Sequence, residues 1–138
     1  MSLGFTLEKI ERFAAKIWRT HCKDDPFSLL SFNEYDYLKV VQNAQPSIRL
    51  TDLASELQVT KPSATNMTKR LEKKGLVLRR PCMEDARSKR IELTAMAQEA
   101  LKQESEVYML MADVLKKKLN AEETKQLEAL LAKATASV

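Results

Sequence analysis

The sequence predicts a mainly α-helical fold with one small β-hairpin. Three observations lead there. Apolar residues repeat at the three-and-four spacing of a buried helical face over most of the 138 residues. Capping and breaking signals cut that repeat into separate helices. Only two short stretches, Leu76–Arg80 and Arg90–Thr94, alternate in the manner of strands.

Taken in order, Leu7, Ile10, Phe13, Ala14, Ile17 and Trp18 line one face of a first helix from Thr6 to about Lys23, which Asp24-Asp25-Pro26 ends because proline cannot continue the hydrogen-bond ladder. Ser31-Phe32-Asn33-Glu34 has the pattern of a capping box, with Leu30 and Tyr35 placed as the accompanying hydrophobic staple. The second helix it opens runs to about Gln45. After the break at Pro46-Ser47, a short third helix over about Arg49–Leu57 turns Leu50, Leu53, Ala54 and Leu57 inward. Thr60 is placed to cap a fourth helix with Pro62 in its first turn, and Gly75 after Lys73-Lys74 suits the left-handed residue that ends it. The two strand-like stretches follow, joined by a charged loop. A long fifth helix then runs from Thr94 to about Leu119. A second capping box at Asn120–Glu123 opens the last helix, with Leu127, Leu130, Leu131 and Ala134 expected inward.

Composition removes several function classes. With only Gly4 and Gly75, neither a P-loop nor a dinucleotide-binding loop can be built. One histidine, His21, and two cysteines sixty residues apart, Cys22 and Cys82, supply neither a metal-ligand cluster nor the usual imidazole chemistry. No enzyme, cofactor or metal is therefore expected. No apolar run approaches the roughly 20 residues of a membrane span, and the N-terminus has no signal-peptide pattern, so a cytoplasmic protein without a membrane partner is expected. The net charge of +4 is unevenly spread: from Lys61 to Arg90, ten basic residues stand against three acidic ones. That local excess of +7 is the footprint of a surface for polyanions.

Two short helices followed by a basic hairpin form a winged helix-turn-helix, in which the second helix enters the major groove of double-stranded DNA and the hairpin touches the flanking groove or backbone. The fourth helix is then the reading element. At 100° per residue, Ala64, Met67 and Leu71 fall on one side and Pro62, Asn66, Lys69 and Lys73 on the other, with Ser63 and Arg70 at the edge. Asn66 suits bidentate pairing with adenine and Arg70 with guanine, and Lys69 or Lys73 can neutralise phosphate. Lys61, Arg79, Lys89 and Arg90 extend the cationic surface. In the hairpin loop, Asp85 and Arg87 point the same way if the chain there is extended, so that Asp85 braces the Arg87 guanidinium for a narrow minor groove.

The run Leu71-Glu72-Lys73-Lys74-Gly75-Leu76-Val77, with Arg79-Arg80-Pro81 and then Asp85-Ala86-Arg87-Ser88-Lys89-Arg90-Ile91-Glu92-Leu93-Thr94, resembles the MarR family of bacterial regulators. The resemblance implies a single domain over 1–138, with the winged helix-turn-helix over about 31–94 and dimerisation helices over about 5–24 and 95–136. It also implies a homodimer that binds a pseudo-palindromic operator, usually as a repressor released by a small aromatic or anionic effector. Ala97 stands where that family often has glycine, and Cys82 and Met83 occupy wing positions where small polar residues and proline are more usual. A dimer is expected from the residues too, because apolar stripes at the two ends of the chain flank a central module that is complete without them.

Trp18, His21, Tyr35 and Tyr108 are candidates to line an effector pocket, although aromatics at this spacing more often serve a core. Cys22, beside His21 and Lys23 but also Asp24 and Asp25, is the candidate thiol for the alternative reading as a redox-sensing repressor. The other alternative is a winged-helix module that binds protein, for which a neutral or acidic face on the fourth helix is expected; this one is basic.

Overall fold

The computed structural model describes residues 1–21 and 30–136. Cys22, the candidate redox thiol, lies outside the described residues. The chain divides into two compact units, Asp24–Gln103 and Met1–Lys23 with Glu104–Val138.

In the first unit, Ser31 caps helix α2 (Phe32–Asn43): its side chain accepts the Glu34 N–H while Glu34 answers the Ser31 N–H, as the capping-box pattern predicts. Tyr37, Leu38 and Val41 bury one face of α2, and Leu30 and Tyr35 pack against the same core. Strand β1 (Ile48–Arg49) comes next, then α3 (Leu50–Leu57) with Leu50, Leu53 and Ala54 buried. Helix α3 stops at Gln58, whose φ of 56° is left-handed. Helix α4 (Lys61–Lys73) starts from Thr60, whose hydroxyl accepts the Ser63 N–H, and Ala64, Thr68 and Leu71 are buried along it. Met67, grouped with Ala64 and Leu71 on one side, is half-buried against the same core. The most inward position sequence reasoning missed is Thr68, whose hydroxyl is satisfied by donating to the Thr65 carbonyl at 3.0 Å. A polar residue can occupy a helix's core face when its own backbone takes the hydrogen bond.

The sheet has three antiparallel strands in the order β1-β3-β2, with β2 spanning Val77–Pro81 and β3 Lys89–Leu93. The hairpin was legible; β1 was not. Residues 48 and 49 are too few to show a period of two, and the backbone of β3 recruits them, pairing Ile48 with Ile91 and Arg49 with Arg90. Helix α3 accordingly begins at Leu50, with Arg49 as its cap.

Gly75, at φ 77°, joins α4 to the sheet. Its N–H donates to the Glu72 carbonyl at 2.9 Å and the Leu76 N–H to that of Leu71 at 3.0 Å, the two bonds of a Schellman closure. From the far end of the hairpin, the Thr94 N–H reaches Leu76 O at 3.1 Å. The Thr94 hydroxyl donates to Gly75 O at 2.8 Å and accepts the Ala97 N–H at 3.1 Å. One threonine thus closes the hairpin and caps helix α5 (Ala95–Lys116). Ala97, Ala100 and Leu101 of α5 complete the core.

In the second unit, α1 (Leu3–His21), the later turns of α5 and α6 (Ala121–Thr135) are all amphipathic. Helix α5 ends at Lys116 rather than near Leu119, through a tightened turn in which Leu119 N–H returns to Lys116 O. The Asn120–Glu123 capping box forms as predicted. Val107 and Met111 are buried, and the ring of Trp18 meets that of Tyr108 edge-on, centroids 5.3 Å apart. The expected burial of α6 does not occur: Leu127, Leu130 and Leu131 are 39%, 65% and 53% exposed, and Ala134 is exposed as well. Neither α1 nor α6 has a buried residue in this single chain, so the periodicity correctly marked an apolar face but not what covers it.

A methyl group at position 75 would meet the Met96 side chain at an ordinary 3.7 Å, so the cost of substitution lies in the backbone. Gly75→Ala is expected to lower the unfolding free energy by about 1–2 kcal/mol, read from urea denaturation, because an L-residue must then hold a left-handed φ.

Candidate nucleic-acid interface

The exposed side of α4 carries Lys61, Ser63, Asn66, Lys69, Arg70 and Lys73, while Ala64, Thr68 and Leu71 hold the opposite side in the core. The polar residues predicted to read DNA therefore share one open face. Ser63 is partly committed there: its hydroxyl accepts a bond from Thr60 at 2.9 Å, which keeps it at the helix start. Four of the six are lysine or arginine, and no acidic residue lies in the first turn of α4.

The loop between β2 and β3 is not extended, and this corrects the expected bracing of Arg87. The Asp85 carboxylate accepts the backbone N–H of Arg87 at 2.9 Å and the Ser88 hydroxyl at 3.2 Å, and the Ser88 N–H returns to Asp85 O at 3.0 Å. Aspartate is spent on shaping the turn, as short carboxylates are where the chain reverses. Asp85 thus holds the Arg87 backbone, and the Arg87 guanidinium stays exposed at the tip beside exposed Lys89.

The remaining predicted cations are tied down. Arg79 stands opposite Ile91 on the inward side of the sheet, 24% exposed, and donates to Glu72 of α4 at 3.1 Å. It fastens the root of the hairpin to α4. Arg90 donates to the Ser47 hydroxyl at 2.7 Å and to the Ser47 carbonyl at 3.3 Å, fixing β3 to the segment before β1. Register places Arg49 and Arg80 on either side of Arg90, Arg49 paired with Glu84 and Arg80 with Glu92 at 2.5 Å. Sequence reasoning assigned no role to Arg49, because nothing marked its strand.

Glu34 was legible as a cap and not as a partner for α4. Its side chain is 6% exposed, and the carboxylate also accepts from Lys74 Nζ at 2.5 Å, forty residues away, at the C-terminal end of α4. Chiefly through the Lys74 hydrogen bond, and against the opposing effect of burial, its pKa lies below the ordinary glutamate value. The Cys82 thiol, buried where β2 enters the loop, is likewise lowered, mostly by the Glu84 backbone N–H and against the opposing effect of burial, with Asp85 N–H, Arg90 and Arg49 adding to it.

Of the candidate effector residues, Trp18 and Tyr108 are in ring contact within one unit, and His21 is exposed at the end of the described part of α1. Tyr35 belongs to the core of the other unit. No group of three or more His, Cys, Asp or Glu poised for a metal occurs among the described residues, and no described helix is long and apolar enough to cross a membrane.

The family model of MarR matches residues 30–89, from the α2 cap through the loop of the hairpin. The chain carries a MarR-family domain. Solved structures extend the likeness in fold to nearly the whole chain. A MarR-like transcriptional regulator of Thermotoga maritima superposes with a TM-score of 0.76 at 19% identity, over 99% of this chain and 96% of that one. The reduced form of MarR from E. coli has a TM-score of 0.68 at 25% identity, over 98% and 97%. MepR of S. aureus bound to ethidium bromide gives 0.71 at 22% identity, over 99% and 96%, and its F27L mutant bound to an oligodeoxyribonucleotide 0.64 at 24%, over 99% and 98%.

Because Glu34 is depressed, its contribution to stability is present above the ordinary glutamate pKa of about 4.3 and is lost as pH falls through the lowered value. Glu34→Gln is expected to cost about 1–2 kcal/mol at pH 7, a figure reduced because Lys74 reaches water, and to flatten the fall in unfolding free energy between about pH 5 and pH 2. Denaturant titrations across that range check both.

Proposed function

We propose that the chain is a sequence-specific regulator of transcription that binds double-stranded DNA as a homodimer on a pseudo-palindromic operator, represses there, and is released by a small aromatic or anionic effector. The observation that carries this reading is the open face of α4, where Asn66, Lys69, Arg70 and Lys73 stand exposed beside a hairpin whose tip presents Arg87 and Lys89. Such a face supplies both kinds of contact a duplex requires, amide and guanidinium groups for base edges and cations for phosphate. The fold is shared with a MepR mutant bound to an oligodeoxyribonucleotide, which supports the same partner here. That MepR also binds ethidium bromide, a flat aromatic cation, supports an aromatic effector; the ring contact of Trp18 with Tyr108 is where we place it.

The apolar faces left open on α1 and α6 support the dimer. Leu7 and Ile10 of α1, and Leu127, Leu130 and Leu131 of α6, are all more than a third exposed in the single chain. Each such leucine or isoleucine contributes about 1.5–3 kcal/mol when fully buried, so pairing with a second copy removes a large penalty. A two-fold axis then sets the two reading helices about 34 Å apart, in successive major grooves.

Selection of bound duplexes from a random pool is expected to return inverted half-sites with centres about 10 base pairs apart; recovery of no enriched duplex would contradict the reading. Arg87→Ala is expected to weaken binding and lower the salt slope by about one, measured by fluorescence anisotropy. Sedimentation at micromolar concentration is expected to show a dimer, and Leu130→Glu with Leu131→Glu a monomer.

A further inference from the structure

Register places three arginines side by side across the sheet: Arg49 on β1, Arg90 on β3 and Arg80 on β2. The adjacent row is Ile48, Ile91 and Arg79, and Ile91 is fully buried, so the arginine row occupies the outward face. Like charges directly opposite one another destabilise a sheet. Here each guanidinium has its own compensation: Arg49 the carboxylate of Glu84, Arg80 that of Glu92, and Arg90 the hydroxyl and carbonyl of Ser47.

Of these, the Arg49–Glu84 pair has the more open carboxylate. It joins side chains 40% and 71% exposed, and it ties β1 to the very loop whose next residues, Asp85 to Arg87, form the wing tip. An exposed pair of this kind is worth about 0–1 kcal/mol, little enough for another anion to replace. Phosphate oxygens take the same planar, forked hydrogen bonds from guanidinium that a carboxylate does.

We propose that the outward face of the sheet is a second phosphate-binding surface for the duplex, centred on Arg49, and that Glu84 is an internal anion which DNA phosphate displaces from it. The proposal rests on the DNA-binding reading and adds to it a residue outside both the reading helix and the hairpin. Glu84 then weakens DNA binding and damps its salt dependence. When Arg49 passes from carboxylate to phosphate, the cation released from the DNA is offset by one attracted to the freed Glu84; without the carboxylate that offset disappears. If Glu84 instead served to brace the wing for docking, its loss would weaken binding. The two roles differ in sign.

The test uses the full chain, a duplex recovered from the pool selection, and the variants Glu84→Gln, Arg49→Gln and the double. Glu84→Gln is expected to tighten binding about two- to fivefold and to steepen the plot of log affinity against log salt by up to about one unit. Arg49→Gln is expected to weaken binding, and in that background Glu84→Gln is expected to lose most of its effect. Weaker binding by Glu84→Gln, or the same gain whether or not Arg49 is present, overturns the proposal. Glu92→Gln with Arg80→Gln repeats the cycle on the other flank of the same face and is independent of the α3 cap at Arg49. Failure of the unmodified chain to bind any duplex strikes the DNA reading itself, whereas binding with the wrong sign for Glu84→Gln strikes only this surface.

Discussion

Every part of the candidate interface is hung from the joint at Gly75. There the reading helix ends, β2 begins, and Thr94 returns from β3 to bond the Gly75 and Leu76 backbone before starting α5. Four elements are thereby referred to one left-handed residue and one hydroxyl. In the proposed function, the angle between α4 and the hairpin lets one chain address a groove and its flank together. That angle is set by backbone hydrogen bonds at the joint and by the Arg79–Glu72 pair just beyond it, rather than by packing of the exposed side chains.

The acidic residues in and around this basic region have a common role. Glu72 holds Arg79, Glu34 holds Lys74, Glu92 holds Arg80, Glu84 holds Arg49, and Asp85 holds the backbone under Arg87. A surface with a large excess of one charge repels itself. Spending its few carboxylates on the cations nearest the scaffold leaves Lys61, Lys69, Arg70, Lys73, Arg87 and Lys89 open. Glu34 illustrates how closely this is built into the fold, since the same carboxylate that caps α2 anchors the far end of the reading helix.

Much of this was legible in the sequence because the signals are local. Both capping boxes, Thr60 with Pro62, and Gly75 after a run of lysine specify helix ends from a few neighbouring residues, and the structure has them all. The inward side of α4 was largely right for the same reason, with Thr68 missed because its hydroxyl is satisfied within its own helix. What escaped depends on partners distant in the chain. Strand β1 exists only because β3 lies beside it. The Glu34–Lys74 and Arg49–Glu84 pairs join residues 40 and 35 apart. An extended loop would give Asp85 the Arg87 guanidinium, and the turn that forms exchanges it for the backbone. The leucines of α6 were correctly grouped on one face, yet periodicity cannot say whether the chain itself or a second copy covers it.

In the proposed function, the cations of α4 and the wing tip hold a nucleic acid backbone. The most direct test is the affinity of the unmodified chain for its selected duplex, titrated between about 50 and 200 mM salt. A linear fall of log affinity with log salt, amounting to about 10³–10⁵ in affinity for 6–10 phosphate contacts, is the predicted result. Affinity that does not change with salt, or no attachment to any duplex at the lowest salt, would contradict it.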